Sequence, residues 1–414
     1  MDASEERTEA RARILVVGGG FGGLFTALGL ARAGDVTLVS NEDHFLHTPL
    51  LYEYLSGEVE AWHIAPPYRE LLGEGVGFVQ GAVTDVDLDR KEVAVAGRVR
   101  RLAYDYLVLA VGGVTNFWGV EGAEQNTLPF RKIRHADELR RRMCDTLDRI
   151  PPDSAPQDAR RSATFVIVGG GASGVELSTK MADLLRDAFR RRGLKGEPRV
   201  VVVEMGKQLV PGMGDDLRAT VEEVLDEKRV EVYTETRVVR VEPAGVTFEH
   251  AGERQTIESA GTVWTAGVRV NPLVERLDAE KTRHGLVVVA PTLQVRARRE
   301  VFALGDIAYF PDIAPSLAGT AQLAYQQSRL VARNVQALID GSAPSAGHFE
   351  EMGEAVSLGT DDAAVLLQGH VVSGQLARQA RFALYTLRLP TWHQRLRVGA
   401  AWFFGGKSPR PLGL

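Results

Sequence analysis

The segment 14-ILVVGGGFGGLFTALGLARAGDVTLVSN-41 decides the fold. An apolar, β-branched run ends at a glycine turn, a helical pattern follows, and a second β-branched run closes the unit. Gly18, Gly20 and Gly23 satisfy the G-x-G-x-x-G spacing. The first glycine permits a tight turn, the second lets backbone approach a pyrophosphate, and the third lets helix pack on strand. The pattern therefore indicates a βαβ unit that binds a dinucleotide.

The same order of elements recurs further along the chain. It reads 165-FVIVGGGASGVELSTKMADLL-185, followed by 199-RVVVVEMG-206, with Gly169, Gly171 and Gly174 at the same spacing. One such match is a weak signal, since glycine turns also occur without a ligand. Two matches, each after a strand and before a helix, predict two dinucleotide sites.

The end of the second strand in each unit distinguishes the two ligands. Glu204 occupies this position in the second unit, where a carboxylate accepts ribose hydroxyls and repels a 2′-phosphate, so NADH is favoured over NADPH. The first unit has Ser40, a weaker partner, with Asn41 or Glu42 as substitutes. A later strand, 301-VFALGDIA-308, ends in Gly305-Asp306. The order of glycine loop, second glycine loop and strand-Gly-Asp is that of a flavoprotein with a nicotinamide domain nested inside it.

Charge is distributed unevenly along the 414 residues. Residues 363–414 contain no Asp or Glu and seven Lys or Arg, so this tail has a formal charge of +7. Because the net charge of the whole chain is −5, residues 1–362 have a net charge of −12 (−5 − 7 = −12). The small net charge argues against a nucleic-acid partner. A basic tail on an acidic body predicts a separate partner for the tail. Because Cys144 is the only cysteine, a mechanism that needs a redox-active cysteine pair is excluded.

The basic tail has the pattern of amphipathic helices. Within residues 375–406, a first apolar face is predicted at Leu376, Ala380, Ala383, Leu384 and Leu387, beside a stripe of Phe382, Tyr385 and Leu389. Pro390 breaks the run, and Trp392, Trp402, Phe403 and Phe404 follow. Such a segment either lies on a membrane surface or covers the protein's own core or a dimer partner. No apolar run reaches the ~18 residues of a membrane span.

Residues 315–335 read as one helix with two amides on one face. Gln322 and Gln326 are four residues apart, among Leu323, Ala324 and Tyr325. Uncharged amides donate to carbonyls without bringing charge into an apolar slot. The alternative is that both glutamines bond neighbouring backbone.

The chain resembles the type II NADH dehydrogenases, and most closely their cyanobacterial and plastid branch. The resemblance runs from about Ile14 to Phe404, and its most specific marks are 48-TPLLYEYLSGEVEAWHIAPPYRELL-72 and GTAQLAYQQS. It implies an α/β fold of two Rossmann-type domains, one for FAD and one for NADH, with the second nested in the first. A C-terminal segment at a membrane or an interface completes the expected fold.

The resemblance also implies the roles of individual residues. The expected FAD residues are Gly18, Gly20, Phe21, Gly22, Gly23, Ser40, Asn41, Gly112, Gly305, Asp306, Ala321 and Gln322. The expected NADH residues are Gly169, Gly171, Ala172, Ser173, Gly174, Glu204 and Gly267. Gln322 and Gln326 are expected to line the quinone pocket, and Glu176 to lie near the flavin–nicotinamide contact as a catalytic residue. No residue is assigned to a metal. Ser40 departs from the family's usual acid.

The expected domains are a flexible leader (1–13), an FAD domain (14–120 and 290–340), an NADH domain (121–289) and a C-terminal domain with basic amphipathic helices (341–414). The expected reaction passes a hydride from NADH to FAD and then two electrons to a membrane quinone, menaquinone or another prenyl quinone, without proton pumping. The expected location is the cytoplasmic face of the cell membrane, with a homodimer as a further expectation. Alternatives are reduction of a ferredoxin-type protein or of a naphthoquinone biosynthetic intermediate, and NADH sensing without turnover.

Overall fold

The computed structural model describes residues 11–311, 318–351, 353–367 and 370–404. The strands in chain order are β1 (Arg13–Val17), β2 (Asp35–Ser40), β3 (Val76–Gln80), β4 (Val83–Asp87), β5 (Glu92–Val95), β6 (Leu102–Ala103), β7 (Tyr106–Leu109), β8 (Gly113–Thr115), β9 (Leu128–Pro129), β10 (Thr164–Val168), β11 (Arg199–Val203), β12 (Glu231–Tyr233), β13 (Thr236–Glu242), β14 (Gly245–His250), β15 (Glu253–Glu258), β16 (Gly261–Trp264), β17 (Val268–Val270), β18 (Val287–Val288), β19 (Gln294–Val295), β20 (Arg298–Ala303), β21 (Ala308–Tyr309), β22 (Glu354–Ser357), β23 (Ala363–Leu367) and β24 (His370–Ser373).

The α-helices are α1 (Phe21–Gly29), α2 (Leu51–Leu55), α3 (Ala61–Ile64), α4 (Tyr68–Leu71), α5 (Ala123–Asn126), α6 (Ile133–Asp148), α7 (Pro156–Ser162), α8 (Ala172–Arg191), α9 (Asp215–Glu227), α10 (Pro272–Glu275), α11 (Ala321–Ile339), α12 (Gln375–Leu387) and α13 (Trp392–Phe404). Short 3₁₀ turns cover Thr48–Leu50 and Gly305–Ile307. In the described part of the chain, no helix is both long and apolar enough to cross a membrane.

The chain divides into two compact units. The first comprises the described residues of Met1–Phe45, Pro66–Val114 and Val270–Glu351, and the second those of Leu46–Ala65, Thr115–Arg269 and Met352–Leu414. The nested order expected from the two glycine loops is therefore present, because the chain leaves the first unit and returns to it.

The first unit is built on a six-stranded sheet in the order β19-β20-β7-β1-β2-β3. All neighbours pair in parallel except β19 with β20. Leu15, Val16 and Val17 of β1 are buried, as expected for a parallel strand covered on both sides. Helix α1 lies against α11, where a Cβ at Gly29 would come within 2.9 Å of the Ala332 Cβ, so glycine allows the close approach.

The second unit repeats this arrangement. Its five-stranded sheet has the order β12-β11-β10-β16-β9, with parallel pairing throughout. An antiparallel sheet, β13-β14-β15, and a C-terminal antiparallel sheet, β22-β23-β24, belong to the same unit. Helices α12 and α13 complete it, and Phe382 of α12 stacks on Trp402 of α13 with ring centroids 3.6 Å apart.

One local expectation was wrong. The helix expected over 315–335 begins only at Ala321, because Thr320 is its N-cap and accepts the Leu323 N–H at 3.1 Å. Most of the expected leader, residues 1–10, lies outside the described residues, as do residues 315–317, Lys407, Arg410 and the side chains of Phe403 and Phe404.

Candidate functional site

The carboxyl ends of the central strands are level in the first unit. Val17 pairs with both Val39 and Leu109, and Leu109 pairs with Ala303. The glycine loop, the residues after Ser40, the Gly112 turn and the Gly305-Asp306 turn therefore lie at one edge of the sheet. The strand order reverses between β1 and β7, and ligands of open α/β sheets bind outside the carboxyl ends at such a point.

Three glycines shape the loop after β1. Gly18 has a φ of +104°, and a Cβ there would lie 2.3 Å from the Ala110 carbonyl oxygen. A Cβ at Gly23 would lie 1.7 Å from the Gly18 carbonyl oxygen, whereas one at Gly20 would meet nothing within 4 Å. The open side of Gly20 faces away from packed atoms at the start of α1, where helix N–H groups attract a phosphate. Phe21 and Gly22 form the first turn of that helix. These residues fit the pyrophosphate of FAD.

Tyr68 takes part in this loop and was missed from the sequence. Its hydroxyl donates to the Gly19 carbonyl at 2.7 Å, and its side chain is buried. Ser40, also buried, lies beside the same hydroxyl and opposes the rise that burial causes in the pKa of Tyr68. A longer acid at position 40 would compete with Tyr68 for this space, so the serine and the tyrosine together support the loop. Asn41 is exposed immediately after them.

The Gly305-Asp306 turn is held by side chains and backbone of the first unit. Asp306 Oδ2 accepts the Gly113 N–H at 3.3 Å, which ties the turn to the neighbouring strand end beside Gly112. The Gly305 N–H donates to Gln327 Oε1 at 2.7 Å, and Gln327 is fully buried on α11. Gln327 was not predicted as a site residue. Its signal was the second glutamine of the Gln-Gln pair in the quoted GTAQLAYQQS motif.

The two predicted amides of α11 differ in their surroundings. Gln326 bonds the backbone of Glu350 twice, with Nε2 donating at 2.8 Å and Oε1 accepting at 3.1 Å. Gln322 follows Ala321 in the first turn, and its Nε2 is buried without a hydrogen-bond partner among the described residues. A buried amide donor in this state is costly unless a ligand satisfies it. Gln322 therefore fits a cofactor or substrate carbonyl, while Gln326 is already engaged with backbone.

The glycine loop of the second unit has the same geometry. Gly169 has a φ of +111°, a Cβ at Gly174 would lie 1.8 Å from the Gly169 carbonyl oxygen, and one at Gly171 would meet nothing within 4 Å. Ala172 and Ser173 follow in the first turn of α8. The Glu204 carboxylate accepts the N–H of Gly170 at 2.5 Å and that of Gly206 at 2.6 Å. These bonds hold the carboxylate at the carboxyl end of β11, as required for a ribose contact.

The Trp118 indole lies against Gly267, one of the residues predicted to bind NADH. Gly267 has a φ of +94°, and a Cβ there would lie 2.9 Å from Trp118 Nε1. The Trp118 indole donates to the Ala266 carbonyl at 2.8 Å, and its side chain is 66% exposed. Trp118 was not predicted, because no motif surrounds it in the sequence.

Glu176 lies in the second turn of α8, not in the first, where a carboxylate would simply complement the helix dipole. It is buried, and its Oε1 accepts the Ser357 N–H at 2.9 Å and Arg381 Nη2 at 2.8 Å. Burial raises the pKa of Glu176 to about 7, with Arg381 opposing the rise and Glu53 adding to it. Sequence reasoning found Glu176 but none of these partners.

Glu176 belongs to a buried cluster of charged side chains. Arg381 Nη1 donates to Glu53 Oε1 at 2.5 Å, and Lys180 is ion-paired with Glu58. Arg378 Nη2 bonds Glu58 Oε1 at 2.8 Å. Burial by itself raises the pKa of Glu53, but Arg381 and Lys180 hold it below its usual range. Arg378 and Arg381, two basic residues of the tail, are therefore turned toward carboxylates of their own unit.

Comparison with known proteins shows which family the chain is similar to. The pyridine nucleotide-disulphide oxidoreductase family matches residues 12–328. The chain is 35% identical to a demethylphylloquinone reductase of Synechocystis over 98% of both chains. It is 32% identical to a type II NADH:quinone oxidoreductase of Mycobacterium tuberculosis, over 81% of this chain and 74% of that protein.

A solved structure shares the fold. NDH2 of Plasmodium falciparum in complex with NADH superposes with a TM-score of 0.84 at 18% identity, covering 96% of this chain and 99% of that one. The predicted α/β fold and the family resemblance are thus confirmed. The chain belongs to the pyridine nucleotide-disulphide oxidoreductase family and, within it, to the type II NADH:quinone oxidoreductases.

Proposed function

We propose that this chain is an FAD-dependent oxidoreductase that takes a hydride from NADH and delivers two electrons to a quinone, without proton pumping. The reaction consumes NADH, a proton and a quinone, and releases NAD and a quinol. When bound, FAD would supply the redox chemistry that joins the two half-reactions. Two glycine loops of matching geometry, one in each unit, are the observation that carries the proposal.

Each loop contributes differently to binding. In the first unit Gly20 leaves space for the FAD pyrophosphate, and Asp306 stands at the adjoining strand end as a ribityl or ribose acceptor. In the second unit Gly171 leaves the corresponding space, and Glu204 is fixed for the adenosine ribose of NADH. A carboxylate at this point repels a 2′-phosphate, so NADH is preferred to NADPH.

Gln322 is the residue we assign to the quinone. Its buried Nε2 has a hydrogen to donate, and a quinone head group is flat and apolar with two carbonyl acceptors. An amide provides this bond without the desolvation cost that a buried lysine or arginine carries. Gln326 supports the same helix through Glu350.

The test follows the flavin absorbance of the FAD-loaded protein. NADH should bleach the band and a short-chain quinone should restore it. Gln322→Ala should slow the quinone step about 10-fold, the loss expected for one hydrogen bond of about 1.4 kcal/mol, and leave bleaching by NADH unchanged. Gln336→Ala is the matched control, because its amide lies on the same helix and bonds the Asp340 carboxylate at 2.8 Å. If NADH bleaches the flavin band and no quinone restores it, the proposal that a quinone is the electron acceptor is refuted.

A reductase of a naphthoquinone biosynthetic intermediate is the second candidate. It is favoured by the 35% identity over 98% of both chains to a demethylphylloquinone reductase. A demethylated prenyl naphthoquinone and its methylated counterpart, compared as acceptors under equal conditions, separate the two functions. A preference for the demethylated compound in kcat/KM supports the biosynthetic role.

We also propose attachment to the cytoplasmic face of the cell membrane through the C-terminal helices. Leu376 and Leu387 of α12 are 79% and 66% exposed, and Trp392 and Leu396 of α13 are 62% and 63% exposed. Arg388, Arg395 and Arg397 lie on the same two helices or between them. Exposed apolar side chains beside basic ones are the pattern of an interfacial helix. A homodimer through this face is the competing arrangement.

The domain division and the remaining site residues stay proposals. The FAD domain is assigned to 14–120 and 290–340, the NADH domain to 121–289 and the C-terminal domain to 341–414. Glu176 is proposed as the acid–base residue of the reaction, because it is the buried carboxylate whose pKa of about 7 suits proton exchange near neutral pH.

A further inference from the structure

Arg381 bridges two carboxylates that come from distant parts of the chain. Its Nη1 donates to Glu53 at 2.5 Å and its Nη2 to Glu176 at 2.8 Å. Nη2 also donates to the Pro49 carbonyl at 3.0 Å. All three ionisable side chains are less than one-tenth exposed. A planar guanidinium satisfies this fork of acceptors, which a lysine ammonium does not.

The surroundings of Glu176 come from four elements. The charged, titratable or hydrogen-bonding groups that face it are Arg381 and Tyr385 from α12, Glu53 and Tyr52 from α2, Lys180 from its own helix α8, and the backbone N–H of Ser357 in β22. Lys180 is also ion-paired with Glu58, which Arg378 binds from the other side. Within the described part of the chain, Arg381 is therefore the cation that contacts Glu176 directly.

Removing this cation would leave Glu53 and Glu176 facing each other in a buried site. An unpaired charged carboxylate is strongly unfavourable in a buried site, so such a group takes up a proton instead. Burial already raises the pKa of Glu176 to about 7, with Arg381 opposing the rise. Without Arg381 the carboxyl group would stay protonated well above neutral pH.

We propose that Arg381 is a positioning residue that fixes the Glu176 carboxylate against Ser357 and stabilises its charged form, so that the charge on α8 depends on the contact of α8 with α12. As a role in the NADH:quinone reaction, this rests on the function proposed above. The C-terminal segment then does more than provide an exposed surface, because its Arg381 supplies the positive charge that pairs with the buried Glu176.

Infrared spectroscopy tests the charge of Glu176 directly, through the carbonyl stretch of a protonated carboxyl group followed against pH. The band lost in Glu176→Gln identifies the residue. In Arg381→Met its titration midpoint should move up by about one to three pH units, the shift that one adjacent opposite charge produces. Arg381→Lys, which keeps the charge and loses the fork, should show a smaller upward shift.

The matched control is Arg141→Met. Arg141 also stands between two carboxylates, Glu138 at 2.5 Å and Asp145 at 3.1 Å, but its side chain is 61% exposed. It should leave the Glu176 midpoint unchanged. An unmoved midpoint in Arg381→Met, or an equal shift in Arg141→Met, overturns the proposal. If Arg381→Met does not fold, the midpoint of Arg381→Lys decides in the same way.

The pH profile of turnover supplies the second readout. In Arg381→Met the profile with NADH and quinone should move by the same number of pH units as the infrared midpoint. An infrared shift with an unmoved profile overturns the positioning role in catalysis. If the wild-type protein reduces no quinone, the proposed function fails, and the infrared midpoint still decides whether Arg381 sets the charge of Glu176.

Discussion

Single glycines mark the two sites that we propose for the dinucleotides. Gly23 and Gly174 are glycines because a Cβ would strike the carbonyl oxygen of Gly18 or Gly169. Gly20 and Gly171 have a different reason, since a Cβ at either would meet no protein atom within 4 Å. The backbone at these two positions, with φ of −74° and −69°, is open to any residue. We therefore expect that a ligand, and not the fold, requires glycine at these two positions.

Substitution at these two open glycines should separate the two sites. Gly20→Ala should weaken FAD binding about 10-fold and leave NADH binding intact, because its methyl group would fill the space proposed for the FAD pyrophosphate. Gly171→Ala should do the reverse. Bound flavin measured by absorbance and NADH affinity measured by fluorescence titration check both. Gly214→Ala is the control, with a φ of −61° and open space around it. Loss of both ligands in either variant contradicts the assignment.

At the scale of elements, α12 shows why a pattern of apolar residues does not reveal which side faces inward. Two stripes were read from the sequence. The stripe with Phe382 and Leu389 is buried, whereas Leu376 and Leu387 of the other stripe are exposed. Arg381 is buried between them because it bonds the carboxylates of Glu53 and Glu176 in its own unit. The two basic side chains of the helix, Arg378 and Arg381, thus both pair with carboxylates of their own unit.

The exposed apolar stripe should bind lipid. A variant carrying Leu376→Ser, Leu387→Ser and Leu396→Ser should bind anionic vesicles at least about 10-fold more weakly, since burial of a leucine stabilises by roughly 1.5–3 kcal/mol. Co-sedimentation with vesicles measures the change. Val99→Ser is the control, because Val99 is a fully exposed apolar side chain outside the tail. Unchanged vesicle binding with an altered oligomeric state would show that the stripe is a dimer interface.

For the whole molecule, the buried cluster links stability to pH. The pKa of Glu176 rises from 4.5 to about 7 in the folded protein. Between these values the folded state holds a proton that the unfolded chain has released, so the contribution of Glu176 to the free energy of unfolding falls as pH rises. Glu53 acts in the opposite sense, because its pKa is lowered in the folded protein. Its contribution to the free energy of unfolding is therefore lost at low pH, where the carboxylate takes up a proton.

Glu176→Gln should remove the first of these dependences. Relative to this variant, the wild-type protein should be most stable near pH 4.5, the ordinary pKa of a glutamate, and lose that advantage as pH rises to about 7, the raised pKa of Glu176. Thermal unfolding midpoints of both proteins across this range measure the difference. Parallel curves for the two proteins would show that Glu176 does not titrate in this window.

The sequence by itself determined the two Rossmann-type units, the nested order of the chain and the family. These follow from local patterns: β-branched runs, glycines at fixed spacing and a carboxylate at a strand end each act over a few neighbouring residues. The same patterns located Gln322 and Glu176, because both stand in recognisable motifs.

Only the tertiary structure decided how those residues are used. Tyr68 reaches the glycine loop from 49 residues away, and Arg381 reaches Glu176 from 205 residues away. No periodicity encodes such pairings, because they depend on which surfaces meet after the elements pack. Gln322 and Gln326 look equivalent along the helix, yet the Glu350 backbone bonds the Gln326 amide, whereas Gln322 Nε2 has no hydrogen-bond partner among the described residues. The physical reason is that hydrogen-bond and charge satisfaction are settled among neighbours in space, and sequence spacing specifies only neighbours along the chain.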